Sequence, residues 1–196
     1  NKALICKISL IGHSMGTILI NELVSAFPDL YSKYDDIVYM GAATSIRDFK
    51  NTILPILNKQ TKFYNLMLLP MYEATELSYG GALPSGSLLE WIDEMYESSP
   101  SRQDTTMGKW ENVRLALNTF PMESRKHISM RVFGDMDGQP YKHGDFNNFD
   151  LCFWRDKFWE TPDENWNEKV CTECKKHILS LTKNITEKEE FKEYCK

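Results

Sequence analysis

Apolar and polar residues alternate from Ile5 to Leu10, and the run closes on the apolar pair Leu10-Ile11. A period of two predicts a half-buried strand. From Thr17 to Phe27 the period changes: Ile18, Leu19, Ile20, Leu23, Val24 and Phe27 recur at helical spacing, which predicts an amphipathic helix. Phe27-Pro28-Asp29-Leu30 ends that helix and opens a loop through Asp35-Asp36. Ile37 to Ala43 is short and nearly all apolar, the pattern of a parallel strand covered on both faces. Strand, helix, strand makes a βαβ crossover, so the chain reads as α/β.

Between Ser45 and Arg125 the pattern turns helical. The stretch is rich in Leu, Met, Tyr and Trp and is punctuated by Pro55, Pro70, Pro84 and Pro100. Leu88 to Tyr96 predicts an amphipathic helix with Ser85 or Ser87 as its cap, and Trp110 to Leu117 predicts another. Ile128 to Gly134 reads as a further strand, followed by a loop from Asp135 to Phe146. The aromatic stretch Phe149 to Trp166 predicts a last helix packed on the sheet, and a charged, solvent-facing helix follows Glu168.

The chemistry-bearing motif is Gly12-His13-Ser14-Met15-Gly16, between the first strand and the first helix. The bare G-x-S-x-G pattern arises by chance in roughly one chain in fifteen of this size, so the flanking elements carry the signal. Strand, G-x-S-x-G, helix is a nucleophile elbow, a strained turn that lifts a serine hydroxyl above a sheet. Both glycines are expected where a Cβ would clash as strand and helix close on each other.

With this motif the chain resembles the α/β-hydrolase superfamily of serine esterases and lipases, over its first 50 residues and around His143. The resemblance implies a partial, mostly parallel α/β-hydrolase sheet with a helical cap or lid insertion. Residues 1–48 would be hydrolase core, 49–125 the lid and 126–196 the remaining core with the histidine loop. In that family further strands precede the elbow, so the resemblance implies the C-terminal half of a longer hydrolase. It also assigns one oxyanion donor to the Met15 N–H and the other to a loop from that earlier half. A lid rich in Met, Tyr and Leu would give an apolar wall for an acyl chain.

A serine hydroxyl needs a base and an orienting carboxylate, in the chain order Ser, acid, His. The chain has four histidines. His13 lies inside the elbow, with a side chain expected to point away from Ser14 and to pack or hydrogen-bond nearby. His127 precedes a strand and so falls at the wrong end of the sheet, and His177 lies in the charged tail. His143, in a His-Gly-Asp-Phe loop after a strand, is the base this reading selects. Asp137 is chosen as the acid over Asp135 and Asp48, and Asp145 is set aside as too close to His143. The implied reaction is carboxylic-ester hydrolysis on a small ester or lipid, without metal or organic cofactor. The alternative is a non-catalytic binding module on the same scaffold. Amide hydrolysis differs only in the leaving group.

Composition adds limits. The 196 residues are 42% hydrophobic and 26% charged with net charge −5, and no basic stripe interleaved with aromatics suggests nucleic acid. No apolar run approaches the ~20 residues of a membrane-crossing helix, and Asn1 to Ile11 reads as a strand rather than a leader. Five cysteines include a lone Cys171-x-x-Cys174 with His177 and Cys195 nearby, short of the second ligand pair a zinc site needs. Asn184-Ile185-Thr186 matches a glycosylation acceptor, a triplet frequent by chance.

Overall fold

Val38, Tyr39, Leu66 and Met67 are all shielded from solvent, although neighbours along a strand point to opposite faces. A sheet covered on both sides explains this, and the strands are parallel, as such sheets usually are. A computed structural model of the chain describes residues 7–77, 85–96, 100–134, 140–148 and 157–160. The chain forms two units, Asn1–Asn148 and Phe149–Lys196, so the span 126–196 contains the break between them.

In the first unit four strands lie in the order β1-β2-β3-β4. They are β1 (Ile8–His13), β2 (Tyr34–Met40), β3 (Lys62–Leu68) and β4 (Ile128–Phe133), all pairing in parallel. Parallel register puts all four carboxyl ends on one edge, where open α/β sheets form their sites. α1 (Gly16–Ala26) follows β1 and buries Thr17, Ile20, Asn21 and Val24, one face at helical spacing. Tyr39, Phe49, Phe63 and Phe120 form an aromatic cluster in the same core; the Phe49–Phe63 ring centroids are 4.5 Å apart.

β3 corrects the sequence reading, which expects only helices between 49 and 125. Lys62–Leu68 is buried at every position after Lys62 and therefore lacks the alternation that marks a half-exposed strand. A short, fully buried run is the case in which periodicity cannot separate strand from buried helix. The other elements in this span are short helices: α2 (Ile46–Thr52), α3 (Pro70–Thr75), α4 (Leu88–Trp91), α5 (Trp110–Ala116) and α6 (Met122–Arg125). Ser87 caps α4 by accepting from the Leu89 N–H, and the helix gives way to a wider π turn over Ile92–Tyr96.

In the second unit the described residues form one 3₁₀ turn, Phe158–Glu160. The rest of the expected Phe149–Trp166 helix, and the tail with Cys171, Cys174, His177, Asn184 and Cys195, lie outside the described residues. Among the described residues no helix is long and apolar enough to cross a membrane.

Candidate active site

Ser14 follows the last residue of β1 with φ +53°, one of two non-glycine residues at positive φ among those described. An L-residue pays steric strain there, and such strain persists only where surrounding structure fixes it. Four contacts fix it here. The Ser14 N–H donates to the Met40 carbonyl at 2.9 Å. Its carbonyl accepts from the Thr17 N–H at 3.1 Å, the Thr17 hydroxyl at 2.7 Å and the Ala43 N–H at 3.3 Å. Thr17 is buried and also accepts from the Thr44 N–H, so the start of α1 and the chain just after β2 grip the same peptide.

Of the two elbow glycines only Gly12 has the expected steric task. A Cβ on Gly12 would lie 2.7 Å from Ile20 Cδ1 and 3.0 Å from the Gly16 carbonyl, whereas one on Gly16 would meet nothing within 4 Å. Met15 caps α1 and is 56% exposed. In the first turn of α1 the Thr17 and Ile18 N–H groups donate to the Ser14 and Met15 carbonyls, so an acceptor at this end would have to meet the Met15 or Gly16 N–H.

His143 opens a 3₁₀ turn, His143–Asn148, after β4. Its ring packs over the carboxyl end of β2: a Cβ on Gly41 would lie 2.9 Å from its Nδ1 and Cε1. It also stacks on His13, with ring centroids 4.9 Å apart at 36°. The ring therefore touches the residue before Ser14 in the chain and the residue after Met40, whose carbonyl receives the Ser14 amide. Neither ring nitrogen has a hydrogen-bond partner among the described residues, so none joins it to the Ser14 hydroxyl. Burial, and secondarily the neighbouring His13, pushes its pKa down to about 4, and the imidazole is neutral at pH 7.

His13 packs on His143 and Phe146 and bonds through Nε2 to the His143 carbonyl at 2.9 Å, the nearby packing and hydrogen bonding that the sequence suggests. His127 sits at the amino end of β4, away from the site edge. Asp135 and Asp137 lie outside the described residues. Asp48 is engaged at the start of α2, where its carboxylate accepts from the Ser45 hydroxyl, and it makes no hydrogen bond to the His143 ring. Asp145 turns back on its own loop and accepts from the Tyr141 and Lys142 N–H groups at 3.1 and 3.0 Å.

Two carboxylates near this edge escape the sequence reading. Glu76 Oε2 accepts from the His143 N–H at 2.7 Å. Glu73, on α3, is fully buried, and neither carboxyl oxygen has a well-formed hydrogen bond among the described residues. Burial raises its pKa to about 7, tempered by Ser87 and Lys109 and reinforced by Glu76 and Glu90. The signal that could find them is β3 itself, since whatever follows Leu68 must sit at the sheet's carboxyl edge. No group of three or more His, Cys, Asp and Glu that could hold a metal ion occurs among the described residues.

No protein-family model, curated protein or solved structure matches the chain.

Proposed function

We propose that the protein is a serine hydrolase of carboxylic esters, with Ser14 as nucleophile and His143 as base. The observation that carries this is Ser14 at φ +53° at the carboxyl end of a parallel strand, next in the chain to His13, whose ring the His143 ring contacts. In the proposed reaction Ser14 Oγ attacks the ester carbonyl as His143 takes its proton. His143 then gives that proton to the departing alkoxide; water next attacks the acyl-enzyme as His143 takes its proton and passes it to the departing Ser14 Oγ, which frees the acid. The Met15 N–H would hold the oxyanion. The carboxylate is assigned to Asp137, shortly before His143 in the sequence, and its charge would raise the basicity of an imidazole now held low by burial. Exposed Met15 next to the nucleophile supports an apolar acyl substrate over a charged one.

The experiment is labelling with a fluorophosphonate probe together with hydrolysis of p-nitrophenyl esters. Ser14 takes the label, and Ser14→Ala removes the label and lowers turnover by a factor on the order of 10⁴–10⁶. Hydrolysis undiminished in Ser14→Ala overturns the reading.

One observation favours a non-catalytic binding module instead: among the described residues the His143 ring makes no hydrogen bond, to Ser14 or to a carboxylate. Absence of both labelling and turnover in the folded wild-type chain would select that alternative.

A further inference from the structure

The histidine loop is attached to the sheet through its main chain. The ring of His143 makes no hydrogen bond among the described residues, yet both polar groups of its backbone do. Its N–H donates to Glu76 Oε2 at 2.7 Å, and its carbonyl accepts from His13 Nε2 at 2.9 Å. The two partners lie 67 and 130 residues away in sequence.

We propose that Glu76 and His13 are positioning residues that hold His143 by its peptide groups and leave both ring nitrogens uncommitted, one to take the Ser14 proton and the other to meet the orienting carboxylate. The proposal rests on the hydrolase reading for its catalytic meaning.

Each anchor is itself fixed. His13 ends β1 and pairs with Met40 of β2, so its Cα belongs to the sheet. Glu76 closes α3, where its N–H donates to the Tyr72 carbonyl and its carbonyl accepts from the Gly86 N–H. A carboxylate accepting from an amide makes a charge-assisted bond, stronger and shorter than a neutral one. On the other side a carbonyl can only accept, so His13 carries a proton on Nε2. Both bonds act on the backbone and set where the Cα of His143 stands. Contact with Gly41 and His13 then sets the ring's tilt.

This division of labour suits a base. A ring held through other hydrogen bonds to its nitrogens would lose one needed for the Ser14 proton or for the carboxylate, whereas a ring placed through its peptide keeps one for each. The anchor from His13 also ties base to nucleophile: the residue bonded to the His143 carbonyl is the one preceding Ser14.

The test uses the full chain with Glu76→Ala, Glu76→Gln, His13→Leu and His13→Gln. Glu76→Gln keeps an oxygen acceptor, and His13→Gln keeps an N–H donor. Turnover of p-nitrophenyl esters, thermal melting and hydrogen exchange of the His143 amide are measured on each. Glu76→Ala lowers kcat on the order of 10²-fold, because small displacements of a catalytic group cost about that much, with KM within about twofold. Its His143 amide loses protection. Glu76→Gln recovers most of both, and His13→Gln recovers most of the kcat lost in His13→Leu. The proposal is overturned if Glu76→Gln falls as far as Glu76→Ala, or if Glu76→Ala leaves His143 exchange unchanged. Should the wild-type chain lack turnover while Glu76→Ala alone exposes that amide, the clamp stands and the hydrolase reading falls.

Discussion

Gly41 and His143 meet backbone to ring, at a distance that leaves no room for a methyl group: a Cβ on Gly41 would stand 2.9 Å from His143 Nδ1. Gly41 also has φ +49°, where an alanine costs about 1–2 kcal/mol from its own backbone. Gly41→Ala therefore carries two penalties, one local and one shared with His143. The double-mutant cycle separates them. Gly41→Ala is expected to cost about 1 kcal/mol less in a His143→Ala background than in the wild type, read from urea unfolding. Equal costs in the two backgrounds would mean that the ring does not rest on Gly41.

Ser14 supplies a second test, because its backbone conformation is set by the fold and its side chain by the proposed chemistry. At φ +53° glycine is unstrained, alanine is mildly strained and a β-branched residue is strained most. Stability should rank Ser14→Gly at or above Ser14→Ala, and both above Ser14→Val, which is expected to lose roughly 1–3 kcal/mol. All three lack a nucleophile and should leave the fluorophosphonate probe unreacted. A Ser14→Val chain as stable as Ser14→Gly would contradict the strained elbow.

Legibility follows local pattern. The elbow is readable because one pentapeptide joins two periods, alternation before Gly12 and helical spacing after Gly16. β2 is readable from Ile37 on as an apolar run, although its first residues, Tyr34 to Asp36, read as loop, and β4 is readable as an alternating run that ends at Gly134. β3 is not, because burial on both faces erases its alternation and Pro55 and Pro70 look like helix punctuation. Without that strand Glu73 and Glu76 stay hidden, since their place at the site edge depends on where β3 ends. The grip of Glu76 on the His143 amide has no sequence signature, because only the tertiary fold joins residues 67 positions apart. His13 can be set aside as the base from its place in the elbow, but its partner cannot be named from sequence.

Two buried groups should give the chain opposed pH responses. Glu73 has its pKa raised from 4.5 to about 7, so the folded state holds that proton more tightly than the unfolded state does. Its contribution is fully present below about pH 4.5 and is lost as pH rises toward 7. His143 has its pKa lowered from 6.5 to about 4, so its contribution is present above pH 6.5 and is lost as pH falls toward 4. Each slope has a magnitude of about 1.4 kcal/mol per pH unit, and the two cancel where they overlap, from pH 4.5 to 6.5. Glu73→Gln should unmask the His143 slope, with stability falling on acidification below pH 6.5. His143→Asn should unmask the Glu73 slope, with stability falling as pH rises from 4.5 toward 7. Urea midpoints across this range decide it, and parallel profiles for the two variants would refute the assignment.

Lys109 lies at the junction between β3 and the short helices, bridging to Leu68, and its ammonium is enclosed by carboxylates. Nζ is 2.7 Å from Glu90 and 3.7 Å from Asp93, with the Lys109 side chain only 9% exposed. Asp93 further accepts from the Thr106 N–H and from Asn112, so this ion set fastens the 85–96 segment to the segment that carries α5. Removing one partner of a buried ion pair typically costs about 3–5 kcal/mol, because the charge left behind has lost its hydration and gained nothing in return. Lys109→Met is expected to fall in that range at about pH 8, since Glu90 and Asp93 then face each other across an apolar side chain. Adding Glu90→Gln to Lys109→Met should return part of the loss by removing one of the two orphaned charges. A double variant no more stable than Lys109→Met alone would show that Lys109 acts there through packing of its aliphatic stem rather than through its charge.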